Sequence, residues 1–277
     1  MTPLAPAFPV DVVSDVHLNV RDPHTLALFL KFLSADKPQA KTLIILGDLF
    51  DAWIGDDAVD ETGQAVANAL RHRHDQGTEI YFVPGNRDFL IGEAYCAQAG
   101  MKCLDEPIVL AGTDRPTALI HGDRLCTDDH AYQRFRKKTQ NPRWRARVLR
   151  WPVWLRRLLR GWARHQSKRH GSAQIKHRPA IMDVNNQAVD RFATDHGIQR
   201  LIHGHTHRLG IHPEHTPSTP ERWVLGDWQA GGGSYLRITP TGCSLYALST
   251  QPQSTPPASI DPSTELIQEA IEPPQGH

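Results

Sequence analysis

The chain of 277 residues carries 31 lysines and arginines against 30 aspartates and glutamates, which leaves a formal net charge of +1. Its length allows one large domain with an insertion or two small domains, and its near-neutral charge argues against a general binder of polyanions. The sequence contains no run of about 18 apolar residues, so it predicts no membrane span.

The four cysteines and the first ten residues bear on the cellular compartment. No two cysteines form a C-x-x-C pair, and a chain of this size does not depend on disulfides for stability. The segment MTPLAPAFPV has neither the basic region nor the apolar stretch of a secretory signal. Together these features predict a reducing, cytoplasmic setting.

Up to about residue 128, short β-rich runs alternate with helical stretches. The predicted strands are PVDVVS (9–14), TLIILG (42–47), EIYFVP (79–84) and TALIHG (117–122), and the predicted helices are 23–34 and 61–76. Such alternation is typical of βαβ units with parallel strands and predicts an α/β core.

Residues 131–182 differ in composition from the rest of the chain. They contain no aspartate or glutamate, 16 of the 31 lysines and arginines, and four of the seven tryptophans. We interpret this segment as a helical insertion that leaves the α/β core after the fourth strand. A helix beginning at Pro152 would carry one apolar stripe. The stripe consists of Trp151, Trp154, Leu155, Leu158, Leu159 and Trp162.

Three interpretations of this stripe remain open. It could pack on the core beneath a solvated arginine face, lie in the interface of an anionic membrane, or contact nucleic acid. The breadth of the Trp/Leu stripe favours lipid over bases, so no nucleic-acid partner is expected.

After the insertion, the sequence predicts a helix over 183–196 with Asp183 as its N-cap, then a strand over 198–204. Three shorter, antiparallel strands follow in ERWVLG, GGSYLRI and GCSLYAL. The segment after residue 250 is rich in proline and acidic residues and predicts disorder, with a short helix allowed in STELIQEAI. The expected organisation is a core of 1–130 and 183–250, an insertion of 131–182 and a disordered tail of 251–277.

Five polar clusters each follow a predicted strand. They are SDVH (14–17), GDLFD (47–51), GNRD (85–88), HGD (121–123) and HGHTH (203–207). Because ligands gather outside the carboxyl ends of strands in an open α/β sheet, all five clusters can meet in space. Their Asp, His and Asn donors, without a thiolate, suit Mn²⁺, Fe²⁺ or Zn²⁺. One such cluster alone is more often an ordinary loop, but five in order are specific.

This ordered set resembles the calcineurin-like metallophosphoesterases, whose pattern is D-x-H, G-D, G-N-H-[DE], H and G-H-x-H. The resemblance covers roughly residues 10–250 without the insertion. It implies a four-layer αββα sandwich of mixed sheets capped by the helical insertion, and two metal ions, expected to be Mn²⁺ with Fe²⁺ or Zn²⁺ as alternatives. The first ion would lie on Asp15, His17, Asp48 and His207, and the second on Asp48, Asn86, His121 and His205.

The spacing of the residues is compatible with this division. Asp15 and His17 lie two residues apart at a strand end, and so do His205 and His207, so the side chains of each pair would point the same way from an extended backbone. Two ions bridged by one carboxylate lower the pKa of a shared water and hold a phosphoryl group.

Three further polar residues lie inside the clusters. His203 is interpreted as structural rather than as a ligand. Asp51 and Asp123 are expected to orient the ligands.

The sequence departs from the family pattern at Arg87, where the family has a histidine. Arginine keeps its proton below a pKa of about 12 and cannot protonate a leaving alkoxide, but it can bind phosphate oxygens in a fork. Arg87 therefore suits a leaving group that is itself a phosphate, which predicts cleavage of a P–O–P bond. The alternative is that Arg87 faces solvent or pairs with Asp88.

A narrower resemblance lies in GNRD, HGDRLCTDDHAYQRFR (121–136) and AIMDVNNQAV (180–189), which are similar to the bacterial UDP-2,3-diacylglucosamine diphosphatases of lipid A biosynthesis. It implies hydrolysis of this nucleotide-linked lipid to UMP and 2,3-diacylglucosamine 1-phosphate (lipid X), with Mn²⁺, by a protein peripheral to the cytoplasmic face of the inner membrane. The implied substrate contacts are Asn86, Arg87, Asp129, Ser167, Lys176 and His205, although the spacing after Ser167 is longer than in the family.

Two other functions were weighed. One is a soluble phosphodiesterase or dinucleoside-polyphosphate hydrolase on the same fold. The other is a non-catalytic scaffold, which the presence of all seven expected ligands argues against. The sequence does not predict an oligomeric state.

Overall fold

The computed structural model describes residues 1–34, 40–159, 183–214, 219–229, 232–249 and 267–270. Within these ranges the strands are β1 (Thr2–Leu4), β2 (Val10–Val13), β3 (Thr42–Leu46), β4 (Glu79–Val83), β5 (Met101–Cys103), β6 (Ile108–Leu110), β7 (Thr117–Ile120), β8 (Arg200–His203), β9 (Gly210–His212), β10 (Glu221–Val224), β11 (Gly232–Thr239), β12 (Gly242–Ser249) and β13 (Ile267–Ala270). The α-helices are α1 (Pro23–Ser34), α2 (Glu61–Asp75), α3 (Glu93–Ala99), α4 (His130–Thr139), α5 (Pro142–Leu149), α6 (153–159) and α7 (Asn186–His196).

The strands form two mixed sheets. One sheet has the order β13-β12-β11-β2-β3-β4-β5, and the other has the order β1-β6-β7-β8-β10-β9. In the first sheet β2, β3, β4 and β5 run parallel, while β11 is antiparallel to both β2 and β12. In the second sheet β7, β8 and β10 run parallel. The catalytic edge expected from the sequence therefore has parallel strands in both sheets.

Alternating side chains of the buried strands separate the layers. Ile44 and Leu46 of β3 lie in the core between the two sheets, whereas Leu43 and Ile45 lie in the core under helices α1, α2 and α3. On the far side, β7 and β8 pack against α7 through a third apolar cluster that includes Phe192. The order helix, sheet, sheet, helix confirms the predicted αββα class.

Most predicted elements of the core are confirmed, and three details were wrong. Helix α7 begins at Asn186 with Asn185 as its N-cap, whose side chain accepts a hydrogen bond from Ala188, so Asp183 is not the cap. Strand β10 runs parallel to β8, not antiparallel as predicted. Residues 267–270 pair with β12 as strand β13, where the sequence allowed a short helix.

Some features went unpredicted. Strands β1, β5, β6 and β9 have three residues each, too few to show a periodicity. Cys96 and Cys103 form a disulfide between α3 and β5, although the sequence predicted no disulfide. In the described ranges no helix combines the length and apolarity needed to cross a membrane.

The described part of the insertion consists of α4, α5 and α6. The apolar stripe does not simply pack on the core, because Trp154 and Leu158 are 63% and 64% exposed. Arg156 is instead the buried side chain of α6. Its guanidinium bonds to the carbonyl of Ile54 and to the carboxylate of Asp57. Trp162, Ser167 and Lys176 lie outside the described residues.

Candidate metal centre

The five polar clusters meet at the carboxyl ends of β2, β3, β4, β7 and β8. Two histidines from opposite sheets approach closely, because His17 Nε2 lies 3.1 Å from His207 Nε2. A second contact joins His121 Nε2 and Asn86 Oδ1 at 3.0 Å. Asp48 lies between the two groups: its Oδ1 is 3.8 Å from His121 Nε2 and its Oδ2 is 4.0 Å from His17 Nδ1. The structure thus brings together the side chains expected as ligands, with Asp48 in the shared position.

Asp15 presents one of its two carboxylate oxygens to the centre. Its Oδ2 accepts hydrogen bonds from Ser14 Oγ at 2.6 Å and from the backbone N–H of His205 at 2.8 Å. Its Oδ1 lies 3.3 Å from His207 Nε2 and 3.8 Å from His17 Nε2. The hydrogen bonds to Oδ2 fix the carboxylate so that Oδ1 faces the ring nitrogens.

These atoms fit a divalent cation. Within the described part of the chain, Asp15 Oδ1 and His17 Nδ1 are buried and make no hydrogen bond, which is unfavourable unless a cation compensates. Candidate ligand atoms of Asp15, His17 and His207 lie within 4.8 Å of one another, as do those of Asp15, Asp48 and His121. The donors are oxygen and imidazole nitrogen, which Mn²⁺, Fe²⁺ and Zn²⁺ accept.

The backbone at the ligands is strained. Among the described residues, left-handed φ angles occur outside glycine at Asp15 (54°), His17 (54°), Asp48 (53°), His205 (68°) and His207 (56°). All five are expected ligands, and such strain is retained where the surroundings hold it for function. The extended backbone expected at these two pairs is therefore wrong: left-handed turns, rather than strand alternation, aim the side chains.

Two glycines permit the loops to pack this closely. A Cβ at Gly85 would lie 2.2 Å from Asp48 Oδ1, and a Cβ at Gly204 would lie 2.1 Å from Asp15 Oδ2. Both distances are far below van der Waals contact, so only glycine fits against these carboxylates.

The electrostatics of the centre follow from burial and from its close charges. Burial raises the pKa of Asp48 to about 7, although the charge of His121 opposes this shift. Burial lowers the pKa of His17 to about 3 and that of His205 to about 4. Burial also disfavours the charged form of His207, but its contacts with Asp15 and Asp227 outweigh that effect and raise its pKa to about 10. Binding of cations here would displace protons, as is general for metal sites.

Arg87 projects beside Asp48. Its backbone N–H donates to Asp48 Oδ1 at 2.8 Å, and its Nη1 donates to Asp51 Oδ1 at 3.0 Å. Its side chain is 39% exposed. Asp88, the alternative partner, is buried and accepts hydrogen bonds from the backbone N–H groups of Leu49 at 2.7 Å and Gly85 at 2.8 Å. Asp51 therefore orients Arg87, while Asp88 joins two ligand loops.

Asp227 was missed by the sequence reasoning. Its Oδ2 lies 3.2 Å from His207 Nδ1, on the side of the ring away from Asp15. The next residue, Trp228, donates its backbone N–H to the Asp15 carbonyl at 3.2 Å. Asp227 stands in LGDW, directly after β10, and this repeats the strand-end Gly-Asp pattern that marked the other clusters.

The remaining residues of the clusters have structural contacts. His203 Nδ1 lies 2.8 Å from the Gly204 carbonyl and its Nε2 lies 3.3 Å from Arg222, so both ring nitrogens are engaged away from the centre. Asp123 contacts Arg136 rather than a ligand side chain. Asp129 is the N-cap of α4 and accepts a hydrogen bond from the Tyr132 N–H at 2.9 Å.

Comparison with known proteins agrees with this geometry. Among the similar curated proteins are UDP-2,3-diacylglucosamine hydrolases from Neisseria meningitidis serogroup B, Stenotrophomonas maltophilia and Chromohalobacter salexigens. The first is 45% identical over 87% of this chain and 98% of the relative. The second is 42% identical over 86% and 98%, and the third is 41% identical over 82% and 92%. The sequence model of the calcineurin-like phosphoesterases matches residues 8–209, and the chain belongs to this family.

Proposed function

We propose that the protein hydrolyses the pyrophosphate bond of UDP-2,3-diacylglucosamine to UMP and 2,3-diacylglucosamine 1-phosphate (lipid X). The observation that carries the proposal is the position of Arg87, held by Asp51 beside the shared carboxylate of Asp48. The printed names of the relatives support the choice of substrate.

Two divalent ions, taken as Mn²⁺, belong to this proposal, with Fe²⁺ and Zn²⁺ also suited to the donors. The first is assigned to Asp15, His17, Asp48 and His207, and the second to Asp48, Asn86, His121 and His205. When bound, such a pair activates a water and neutralises charge on the phosphoryl group. The buried, unbonded Asp15 Oδ1 supports this assignment.

Arg87 would stabilise the charge that develops on the phosphoryl oxygens. Its guanidinium Nε lies 3.5 Å from Asp48 Oδ2, so it is adjacent to the place where the phosphoryl group would sit. It remains protonated and offers no proton to the leaving group. A sugar 1-phosphate leaves without one, since its second pKa is about 6. Asn86 and His205 would contact the same phosphoryl group.

The insertion would contact the rest of the substrate. Asp129 lies at the start of α4 and is proposed to bind the sugar; Ser167 and Lys176, proposed for the same region, lie outside the described residues. Next to Arg87, the ring of Phe89 lies 6.5 Å from that of Phe135 and 6.1 Å from that of Trp144. These aromatic side chains offer an apolar surface for acyl chains.

The outer surface of the insertion is proposed to dock on the cytoplasmic face of the inner membrane. Leu149, Trp154, Leu158 and Leu159 are 40%, 63%, 64% and 38% exposed, an arrangement that suits an apolar interface. Exposed arginines such as Arg157 lie beside them and would attract anionic lipid. The protein would thus be peripheral to the membrane that holds its substrate.

The test is hydrolysis of UDP-2,3-diacylglucosamine by the Mn²⁺-loaded protein in mixed micelles and ¹⁸O-water. UDP-N-acetylglucosamine and a dinucleoside polyphosphate serve as soluble comparison substrates. Turnover of the lipid alone, with the label in UMP, would support the proposed substrate and attack at the uridine-side phosphorus. Turnover of the soluble nucleotides alone would reject the lipid assignment.

An Arg87→Lys variant separates charge from shape. Lysine keeps the positive charge but loses the planar fork. We expect kcat to fall by about 10²-fold, the effect of losing one oriented donor, while Mn²⁺ binding is retained.

A further inference from the structure

Helix α4 of the insertion touches both histidines assigned to the second ion. The contacts run through a buried group that consists of Glu106, Asp123, Tyr132 and Arg136. None of these four is an expected ligand, and Glu106 lies before β6, outside the five clusters.

Arg136 holds the two carboxylates of this group. Its Nη2 donates to Glu106 Oε1 at 2.8 Å, and its Nε lies 2.9 Å from Asp123 Oδ1. All three side chains are close to nine-tenths buried or more. Burial and then the charge of Asp123 raise the pKa of Glu106, whereas the charge of Arg136 acts in the opposite direction. Without Arg136, two buried carboxylates would face each other with no cation between them, which is strongly unfavourable.

Each carboxylate uses its other oxygen toward a ligand histidine. Glu106 Oε2 accepts the backbone N–H of His121 at 2.8 Å. Asp123 Oδ2 accepts the Tyr132 hydroxyl at 2.8 Å, and the Tyr132 ring lies against the His205 ring with a centroid distance of 5.5 Å and an interplanar angle of 33°. One arm of the group therefore fixes the backbone of His121, and the other fixes the ring of His205.

We infer that Arg136 is a positioning residue for the second ion and that α4 orients the second-ion ligands as well as covering the site. This inference rests on the proposed function, because it takes His121 and His205 as ligands of one ion. Positioning groups of this kind typically contribute about 10–100-fold in metal affinity. Because the N-cap of α4 is Asp129, a proposed sugar contact, movement of α4 would couple substrate binding to retention of the second ion. Such coupling is reciprocal, so substrate should also tighten the second ion.

The test compares Arg136→Met with Arg134→Met, which removes the same charge from an exposed position on the same helix. Mn²⁺ titration followed by EPR counts the bound ions, and the spectrum distinguishes a spin-coupled pair from an isolated ion. Asn86→Ala, which lacks a proposed second-ion ligand, gives the reference for a protein with the first site alone. We expect Arg136→Met to weaken the second ion by about 10–100-fold and to lose the coupled spectrum, while the first ion and Arg134→Met match the wild type.

A second variant separates positioning from loss of fold. In Arg136→Met/Glu106→Gln one of the two facing charges is gone, and the glutamine oxygen can still accept the His121 N–H. We expect it to recover part of the second-ion affinity and of the coupled spectrum.

The outcomes are distinct. Equal two-ion binding by Arg136→Met and Arg134→Met would overturn the inference and leave the proposed function intact. Parallel loss of both ions by Arg136→Met, without recovery in the double variant, would also overturn it in favour of a structural role. A wild-type protein that binds fewer than two ions would reject the metal assignment and, with it, this inference.

Discussion

Asp227→Asn should weaken the first ion selectively. The carboxylate of Asp227 lies 3.2 Å from His207 Nδ1, and its side chain is only 15% exposed. An ionised partner on Nδ1 selects the tautomer whose Nε2 is free to bind a cation and increases the basicity of that nitrogen. Asparagine keeps the size of the side chain and removes its charge. Its amide can also turn its NH₂ toward Nδ1, which would favour the wrong tautomer.

The size of the effect follows from the change in this contact. A hydrogen bond to a charged group contributes about 1.5–3 kcal/mol, and a neutral one contributes about 0.5–1.5 kcal/mol. The expected difference of about 1–1.5 kcal/mol corresponds to roughly a tenfold loss of affinity. Tautomer competition adds to this loss, so we expect the first-ion Kd to rise by about 10–100-fold. His207 is not assigned to the second ion, whose Kd should change by less than about threefold.

The assay is the same EPR titration with Mn²⁺, with Asp75→Asn as control because its carboxylate is 61% exposed at the end of α2. Asp227→Glu should recover part of the affinity, since it restores the charge. Unchanged binding of the first ion in Asp227→Asn would refute the reasoning. Equal weakening of both ions would also refute it, because a selective role for His207 could then not be maintained.

Three further predictions concern other parts of the molecule. Gly85→Ala should abolish binding of both ions in the EPR titration, because its Cβ would lie 2.2 Å from Asp48 Oδ1; retained binding would show that the loop can move aside. Trp154→Asp should reduce co-sedimentation with anionic vesicles while Mn²⁺ binding stays unchanged, since this side chain is 63% exposed on α6; unchanged sedimentation would place the docking surface elsewhere. The hydrogen bond from Arg156 lowers the pKa of Asp57, so the contribution of this pair to stability is full above the ordinary carboxyl pKa and is lost as the pH falls through the lowered one. Hydrogen exchange of residues 153–159 should therefore increase in acid, and Asp57→Asn should show the faster exchange already at neutral pH.

Features set by local sequence could be predicted. Helix α1 occupies the predicted residues 23–34 because its apolar spacing is regular and a proline stands at its start. The strand-end clusters were recognisable because parallel strands deliver their following residues to one edge. Both inferences depend on neighbours within a few positions along the chain.

Features set by distant partners could not be predicted. The direction of β10 depends on pairing with β8, some twenty positions earlier in the chain, and its sequence is compatible with either direction. Arg156 carries the composition of a solvated face, yet a carbonyl and a carboxylate about a hundred residues away bury it. The left-handed backbone of the ligands also depends on contacts that a motif does not display.

The ligand residues require support from outside their own motifs. A left-handed non-glycine residue is disfavoured by about 1–3 kcal/mol, so five of them together persist only if other groups hold them. Ser14 holds the carboxylate of Asp15, Asp88 accepts from two ligand loops, and Glu106 accepts from the backbone of His121. A chain that kept all seven ligands but lost these supports would present the right atoms without fixing their directions. Loss of ion affinity should therefore precede loss of fold when the supports are substituted, and the same order of events should distinguish positioning residues from structural ones at this site.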